Sequence, residues 1–201
     1  MREFGTMKSA GRKPRSDSLR NRERLIAAAK DILGQGGPDA SLDAVARHAG
    51  LGIGTLYRHF PTREALFLAV YASEVAQTAD IATELEAARD GLEALRGLLH
   101  AMVSLVETKR GLIGALEVAM AEAAKAQYSE ASAPLSVAMG RLVARAQADG
   151  TVRMDVTTQE IVSTVVALCY ARQPEPGWKA HVLHMIDIFV DGLRPPRLHR
   201  R

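Results

Sequence analysis

Cysteine, long apolar runs and alternating β-branched segments are all scarce in this sequence of 201 residues. The single cysteine, Cys169, excludes an intrachain disulfide framework and suits a reducing cytoplasm. No apolar run approaches the roughly 20 residues that a membrane-spanning helix needs, and no secretory hydrophobic segment follows the N-terminus. We therefore expect a cytoplasmic protein that has no membrane partner.

The residues that are plentiful favour helices. Ala and Leu dominate, glycine and proline concentrate at breaks between periodic segments, and the hydrophobic fraction is 47%. We predict an all-α protein of one or two domains.

Positive charge is concentrated at one end of the chain. Residues 1–60 contain eleven Lys and Arg against six Asp and Glu, whereas the rest contains fifteen against seventeen. A basic N-terminal part on a mildly acidic body is expected where only that part meets phosphate. The alternative is a solvated basic segment that binds nothing.

Residues 41–60 have the pattern of two short helices joined by a tight turn. Ser41 is a suitable N-cap, apolar residues follow it at helical spacing, and Gly50 stands where a left-handed residue often ends a helix. The second helix has Leu56 and Phe60 on one face. Its other side chains are hydrogen-bond donors of the kind that a DNA recognition helix uses, namely Thr55, Tyr57, Arg58 and His59.

The glycines of this turn allow one other interpretation. Gly50, Gly52 and Gly54 resemble part of a phosphate-binding glycine loop, which has to follow a strand and open a βαβ unit. The residues before them form an amphipathic helical pattern instead, so the helix-turn-helix interpretation is preferred.

Helices are also predicted on both sides of the motif. One spans residues 19–35, and another begins at Arg63 after the N-cap Thr62. Together these segments resemble the TetR family of bacterial transcriptional regulators over residues 19–70, and beyond Val70 only in general organisation. The matching positions are Ile32-Leu33, Gly36-Gly37, Ser41-Leu42, Val45-Ala46, Ala49-Gly50-Leu51, Gly54 through Phe60, and Arg63-Glu64-Ala65-Leu66, with Arg63 standing where the family often has Lys.

The resemblance implies a ligand-responsive regulator, most simply a repressor, that binds a palindromic operator in double-stranded DNA as a homodimer and is released by a small-molecule effector. The alternative is a helical small-molecule-binding or scaffold protein that does not use this motif on DNA. The predicted DNA-binding residues are Ser41, Arg47, Gly54, Thr55, Tyr57, Arg58, His59, Thr62 and Arg63.

The predicted organisation has four parts. Residues 1–18 form a leader and a basic arm, in which 1–6 look vector-derived, Met7 is the expected native start, and 7–18 are expected to be disordered without DNA. A three-helix helix-turn-helix domain follows at 19–66. A helical ligand-binding and dimerisation domain occupies 67–194, joined to it by a long helix, and a tail occupies 195–201.

Within the C-terminal domain, apolar periodicity and breaks predict six helices. The first begins at Thr62 and ends near residue 88, and Thr157 or Thr158 is expected to cap the fifth. Their approximate ranges are 62–88, 92–108, 112–127, 132–149, 157–170 and 178–193.

The last two of these helices are apolar over more than one face, which a single packing seam does not need. In the resembled family the final two helices pair with those of a second subunit, so we expect a dimer interface within 157–193. Val165 and Ile186 are predicted to lie in it. The alternative is a helix pair buried inside a monomer.

A ligand cavity among the middle helices is implied by the resemblance. Methionines adapt to varied apolar shapes, and a few polar groups could anchor a ligand. The alternative for each residue is an ordinary core or surface role. The candidates are His100, Met102, Leu116, Glu117, Met120, Tyr128 and Met139, with Glu107 as a further polar group.

Catalysis has little support, and no cofactor or metal is predicted. Cys169 lies in an apolar run and is interpreted as a core thiol. His181, His184 and Asp187 share helical spacing, but no further ligand completes a recognisable metal site. We predict that the protein is not an enzyme.

Overall fold

The structure, a computed structural model, describes residues 13–36, 41–87, 90–113, 122–171, 173 and 175–196. Within these residues all regular structure is α-helical, and the predicted all-α class is confirmed. The helices are α1 (Lys13–Gly36), α2 (Leu42–His48), α3 (Ile53–His59), α4 (Arg63–Leu85), α5 (Gly91–Ile113), α6 (Glu122–Ala148), α7 (Thr158–Tyr170) and α8 (Trp178–Gly192).

The helices α1 to α3 and the first turn of α4 form the head of the molecule. α1 packs against α2, α3 and α4, and α2 packs against α3. The apolar side chains of these helices meet in a core of fully or almost fully buried residues, namely Leu25, Ala29, Val45, Leu56, Phe60 and Leu66.

The rest of α4 and the helices α5 to α8 form the body. α4 packs against α5 and α6, and α8 and α7 pack against α5. α4 crosses the predicted domain boundary at 66–67 without a break. The head is therefore joined to the body by a continuous helix, and a salt bridge of 2.6 Å from Lys30 on α1 to the buried Glu74 on α4 connects them a second time.

Helix caps predicted from the sequence are present. The side chains of Ser41 and Thr62 each accept a hydrogen bond from a backbone N–H three residues on. Thr157, rather than Thr158, caps α7, and Glu160 completes a capping box with it.

The predicted start of the first helix was wrong. α1 begins at Lys13, six residues before the predicted Leu19, so residues 13–18 are helical rather than a disordered arm. A helix that is already nucleated by packing extends at little cost into polar residues, and Asp17 pairs with Arg20 within this exposed turn. The rest of the predicted leader and arm, 1–12, and the tail residues 197–201 lie outside the described residues.

The predicted break between residues 127 and 132 was also wrong. α6 continues through Pro134, which occupies an exposed position. Residues that pack against the core recur at helical spacing on both sides of it, so tertiary packing holds the helix together where one backbone hydrogen bond is lost. Of the separate helix predicted at 112–127, residues 114–121 lie outside the described residues, and the two ends belong to α5 and α6.

None of the described helices combines the length and hydrophobicity that crossing a bilayer requires.

Candidate nucleic-acid interface

The turn between α2 and α3 depends on Gly50. This residue has a φ of +64°, and the N–H of Leu51 donates to the carbonyl of Ala46 at 2.9 Å. A side chain in this left-handed conformation is strained, whereas glycine is not. The turn thus fixes the angle at which α3 leaves α2, as the sequence predicted.

Arg24 on α1 closes the same turn from the other side. Its Nη2 donates to the carbonyl of Ala49 at 2.5 Å, and a Cβ built on Gly50 would lie 2.8 Å from that nitrogen. Nearby, Arg22 lies over the ring of Phe60 at 5.2 Å. Sequence reasoning missed both arginines, because their partners are distant in the chain and only the basic character of α1 was visible.

α3 is anchored by one side chain and exposes others. Leu56 is fully buried, while Tyr57 is 50% exposed and Arg58 is exposed beside it. A Cβ built on Gly54 meets no atom within 4 Å, so the backbone there is open to close approach by a ligand. The helix therefore presents an uncovered face with hydrogen-bond donors.

Arg58 folds back along its own helix. Its Nε donates to the carbonyl of Gly54 at 3.2 Å, and its Nη2 donates to Thr55 Oγ1 at 2.9 Å. Thr55 and His59 are only partly exposed, so Tyr57 and Arg58 are the most accessible of the predicted groove-facing residues.

The predicted phosphate-contacting residues flank this helix. Ser41 and Thr62 use their oxygens as cap acceptors, which leaves each hydroxyl hydrogen available for donation. Arg47 is exposed and pairs with Asp43 at 3.2 Å, and Arg63 lies over the ring of Phe67 at 5.0 Å.

The described members of the predicted ligand set lie in and around the core of the body. Met102 and Met139 are core side chains, and His100 Nε2 lies 2.8 Å from Asp187 Oδ1. Tyr128 packs against Tyr71, with ring centroids 5.0 Å apart. Leu116, Glu117 and Met120 lie outside the described residues.

Two open cavities adjoin the body at other places. One, of about 690 Å³, lies between the end of α5 and the start of α8 and is lined by Glu107, Trp178 and Leu183 among others. The second, of about 410 Å³, lies between the head and the body, where Arg22, Leu68 and Ala131 contribute to its wall. Among the predicted ligand residues that the structure describes, Glu107 alone lines one of these two cavities.

The helices α7 and α8 leave apolar side chains uncovered in the protomer. Val166 is 38% exposed, Tyr170 45% and Ile188 54%. Val165 and Ile186, which the pattern assigned to a dimer interface, are instead fully buried inside the protomer. Helices that are apolar nearly all round do not reveal which face is internal, and this assignment was wrong.

The side chains considered for catalysis or metal binding are buried or held by hydrogen bonds to other side chains. Burial raises the pKa of the Cys169 thiol to about 11, so it is protonated at neutral pH. Asp187 bonds to Arg96 and His100. Within the described residues no group of three or more His, Cys, Asp or Glu side chains is arranged to hold a metal ion.

A recognition helix braced across a glycine turn, on an all-helical body, defines a helix-turn-helix regulator. Two family sequence models match this chain: "Bacterial regulatory proteins, tetR family" over residues 25–70, and "Transcriptional regulator SbtR-like, C-terminal domain" over residues 90–195. The chain belongs to the TetR family of bacterial transcriptional regulators. The proteins that it resembles are regulators of this family and not enzymes.

Solved structures of similar proteins agree with this assignment. The TetR regulator SCO0520 of Streptomyces coelicolor is 33% identical, with a TM-score of 0.72 over 87% of this chain and 98% of that one. A TetR regulatory protein of Mycobacterium vanbaalenii is 34% identical, with a TM-score of 0.70 over 90% of this chain and 99% of that one.

A curated relative matches over a shorter stretch. The uncharacterized HTH-type transcriptional regulator TtgW of Pseudomonas putida is 41% identical over 63 residues, which are 31% of this chain. This match spans less than half of that relative's length, 47%.

Family members bind DNA and small-molecule ligands, typically as dimers. This favours the regulator over the scaffold protein considered as the alternative.

Proposed function

We propose that this protein is a repressor that binds a palindromic operator as a homodimer and is released by a small-molecule effector. The observation that carries the DNA-binding half of the proposal is the uncovered face of α3, where Tyr57 and Arg58 project beside the open backbone of Gly54. The buried Leu56 and the turn clamped by Arg24 hold this face rigidly on the head.

The nine predicted DNA-binding residues divide by role. Tyr57 and Arg58 contact bases in the major groove, supported by Thr55 and His59, and the backbone at Gly54 approaches the DNA closely. The residues that position the head on the phosphate backbone are Ser41, Arg47, Thr62 and Arg63.

Dimerisation is proposed through the outer faces of α7 and α8, within 157–193. The exposed Val166, Tyr170 and Ile188 supply apolar surface that a second copy would bury. A two-fold dimer carries two recognition helices, and its operator then has two half-sites with matching symmetry.

Effector binding is proposed in the body, between about residues 92 and 145. α4 links this region to the head without interruption, and Lys30 and Glu74 add a direct connection. A hundredfold loss of operator affinity requires that the effector prefer the released arrangement by about 2.7 kcal/mol. Operator DNA must then weaken effector binding by the same factor.

The proposal is tested by selecting genomic fragments with the full-length protein and measuring their binding at several salt concentrations. Specific operator binding should fall steeply with salt, because phosphate contacts release counterions. Affinity for a selected fragment that matches its affinity for random DNA would overturn the repressor function. Calorimetric titration of candidate effectors with and without operator then tests the coupling.

A further inference from the structure

The tyrosines and the tryptophan of the body lie close together. Three of the four tyrosines and the single tryptophan lie near one another with two basic residues, on all five helices of the body. We name this group the aromatic cluster, and its members are Tyr71, Lys109, Arg110, Tyr128, Tyr170 and Trp178.

The cluster consists of two groups of contacts, centred on the neighbouring residues Lys109 and Arg110. The groups lie close together, because the pKa of Tyr71 is raised by burial and then by the nearby Tyr170. Tyr71 packs against Tyr128, and Lys109 Nζ lies 5.7 Å from the centroid of the Tyr71 ring. Arg110 Cζ lies 5.0 Å from the ring of Tyr170 and 5.5 Å from that of Trp178. The open cavity of about 690 Å³ adjoins the Trp178 end.

Two hydrogen-bonding atoms of the cluster are buried without a partner. They are Tyr128 Oη and Trp178 Nε1, and no other buried side-chain nitrogen or oxygen in the described part of the chain lacks one. Buried polar groups are nearly always hydrogen-bonded, so each exception calls for an explanation, such as a water, an ion or another molecule that binds there. Both exceptions in this protein fall within the same cluster.

Lys109 is a third unusual member. Partial burial lowers the pKa of its amine, and within the part of the chain that the structure describes no carboxylate pairs with it. Its recorded contact is the face of the Tyr71 ring. An ammonium group held away from water in this way is stabilised strongly by an anion.

The cluster offers donors and positive charge rather than acceptors. Lysine, arginine and the indole N–H are donors only, and tyrosine can donate. Three carboxylates lie near the cluster. Glu107 is paired with Lys179 at 2.9 Å, and Glu175 lines the cavity at the Trp178 end. Glu64 is exposed and affects the pKa of Tyr128 less than burial and Tyr71 do. We infer that the effector is an acid with an aromatic body, whose carboxylate binds Lys109 Nζ and accepts a hydrogen bond from Tyr128 Oη.

This inference rests on the proposed effector function and specifies the chemistry of the effector. The test uses the full-length protein and three probes of matched shape: 2-naphthoate, its neutral amide 2-naphthamide, and the cation 2-naphthylmethylammonium. Calorimetry should show that naphthoate binds at least tenfold more tightly than the amide, and that the cation binds most weakly. Affinity for naphthoate that is absent, or no greater than for the amide, overturns the inference.

Single-residue variants show which side chains cause the preference for naphthoate over naphthamide. Lys109→Met should bring naphthoate and naphthamide to within about twofold of each other, because one ion pair accounts for their difference. Tyr128→Phe should weaken naphthoate severalfold. Arg47→Met and Tyr57→Phe, both exposed on the head and outside the cluster, are the matched controls, and both should retain the full preference for the anion. A preference that survives in Lys109→Met contradicts the assignment.

A stability measurement separates a binding role from a structural one. Without ligand, Lys109→Met should unfold at the same temperature as the unmodified protein or at a higher one, because an unpaired, partly buried charge is removed. A lower unfolding temperature would show that Lys109 supports the fold, and would overturn the inference.

Operator binding by the same variants distinguishes the two proposals. Lys109→Met and Tyr128→Phe should bind operator like the unmodified protein. If the unmodified protein binds operator but only neutral or cationic compounds release it, the acid inference fails and the repressor function stands. If it binds no operator, the repressor function itself fails.

Discussion

Arg58 Nη2 donates a hydrogen bond to Thr55 Oγ1 at 2.9 Å, one turn earlier on the same exposed helix. A second bond, from Arg58 Nε to the carbonyl of Gly54, holds the guanidinium along the helix axis. The arginine is thus ordered before DNA arrives, and it has to exchange these exposed bonds for contacts with a base or a phosphate.

Arg58→Ala is expected to weaken operator binding by about 1–3 kcal/mol, the range for loss of a good base contact. Tyr57→Ala should weaken it as well, since half of that side chain is exposed. Electrophoretic mobility shifts measure the effect, and thermal unfolding should change little because neither side chain supports the core. Unchanged affinity in both variants would place DNA on another surface.

Gly54→Ala should separate stability from DNA binding. A methyl group at this position meets no protein atom, so the helix should gain up to about 1 kcal/mol from the better propensity of alanine. Operator affinity should fall, because the added methyl group faces the DNA. Gly140→Ala on α6 is the control, since its Cβ also meets nothing and only stability should rise. Equal operator affinity in both variants would contradict the close approach at Gly54.

Gly50→Ala should destabilise the head by about 1–2 kcal/mol from the left-handed backbone alone, and by more from contact with Arg24. Gly150 provides the comparison, because its φ is +74° and a Cβ there meets no atom within 4 Å. Chemical denaturation of both variants measures the difference that is due to Arg24. Equal losses of stability would mean that the arginine moves aside freely.

The dimer is tested by charges on the outer faces of α7 and α8. Val166→Glu or Ile188→Glu should give a folded monomer, because an unpaired charge in an apolar interface costs several kcal/mol, on the order of a buried ion without its partner. Light scattering gives the mass, and circular dichroism confirms the helix content. Val137→Glu, at a position 58% exposed on α6, should leave the mass unchanged. Ile186→Glu, in contrast, should unfold the protomer.

The hydrogen bonds of Asp187 should make the stability of the folded protein depend on pH. Its hydrogen bond from Arg96, assisted by His100, holds the pKa of this carboxyl below its ordinary value. The stabilisation is therefore complete above the unfolded pKa of roughly 3.9 and is lost as the pH falls through the lower folded pKa. Asp187→Asn should lower the unfolding temperature near pH 7, and this effect should shrink progressively as the pH falls below about 4. Asp80→Asn, at an exposed position on α4, is the control and should leave the unfolding temperature near pH 7 unchanged.

The sequence predicted the parts of the fold that depend on local chemistry. Ser41, Thr62 and Thr157 cap helices because each hydroxyl satisfies a backbone N–H of its own first turn. Gly50 ends α2 for an equally local reason. The break predicted between residues 127 and 132 is absent, since the local effect of Pro134 on α6 is outweighed by packing against helices distant in the chain.

The candidate site likewise has features that the sequence predicted and features that it did not. The exposure of Tyr57 and Arg58 followed from the spacing of Leu56 and Phe60 on a single short helix. The clamp by Arg24 did not, because it joins residues that are 25 positions apart. Apolar periodicity likewise could not distinguish Val165 from Val166, since neighbouring positions are both apolar and only the packed protomer shows which one is internal.

The unbroken course of α4 gives the molecule a mechanical property. A helix of 23 residues is about 34 Å long at a rise of 1.5 Å per residue. If its distal end stays fixed, a tilt of roughly 5° displaces the other end by about 3 Å over that length. In a two-fold dimer the two displacements add, so the recognition helices would move apart by nearly twice as much. A rearrangement too small to disturb the core could thus change the separation of the two recognition helices, so that it no longer matches the spacing of the half-sites along the DNA.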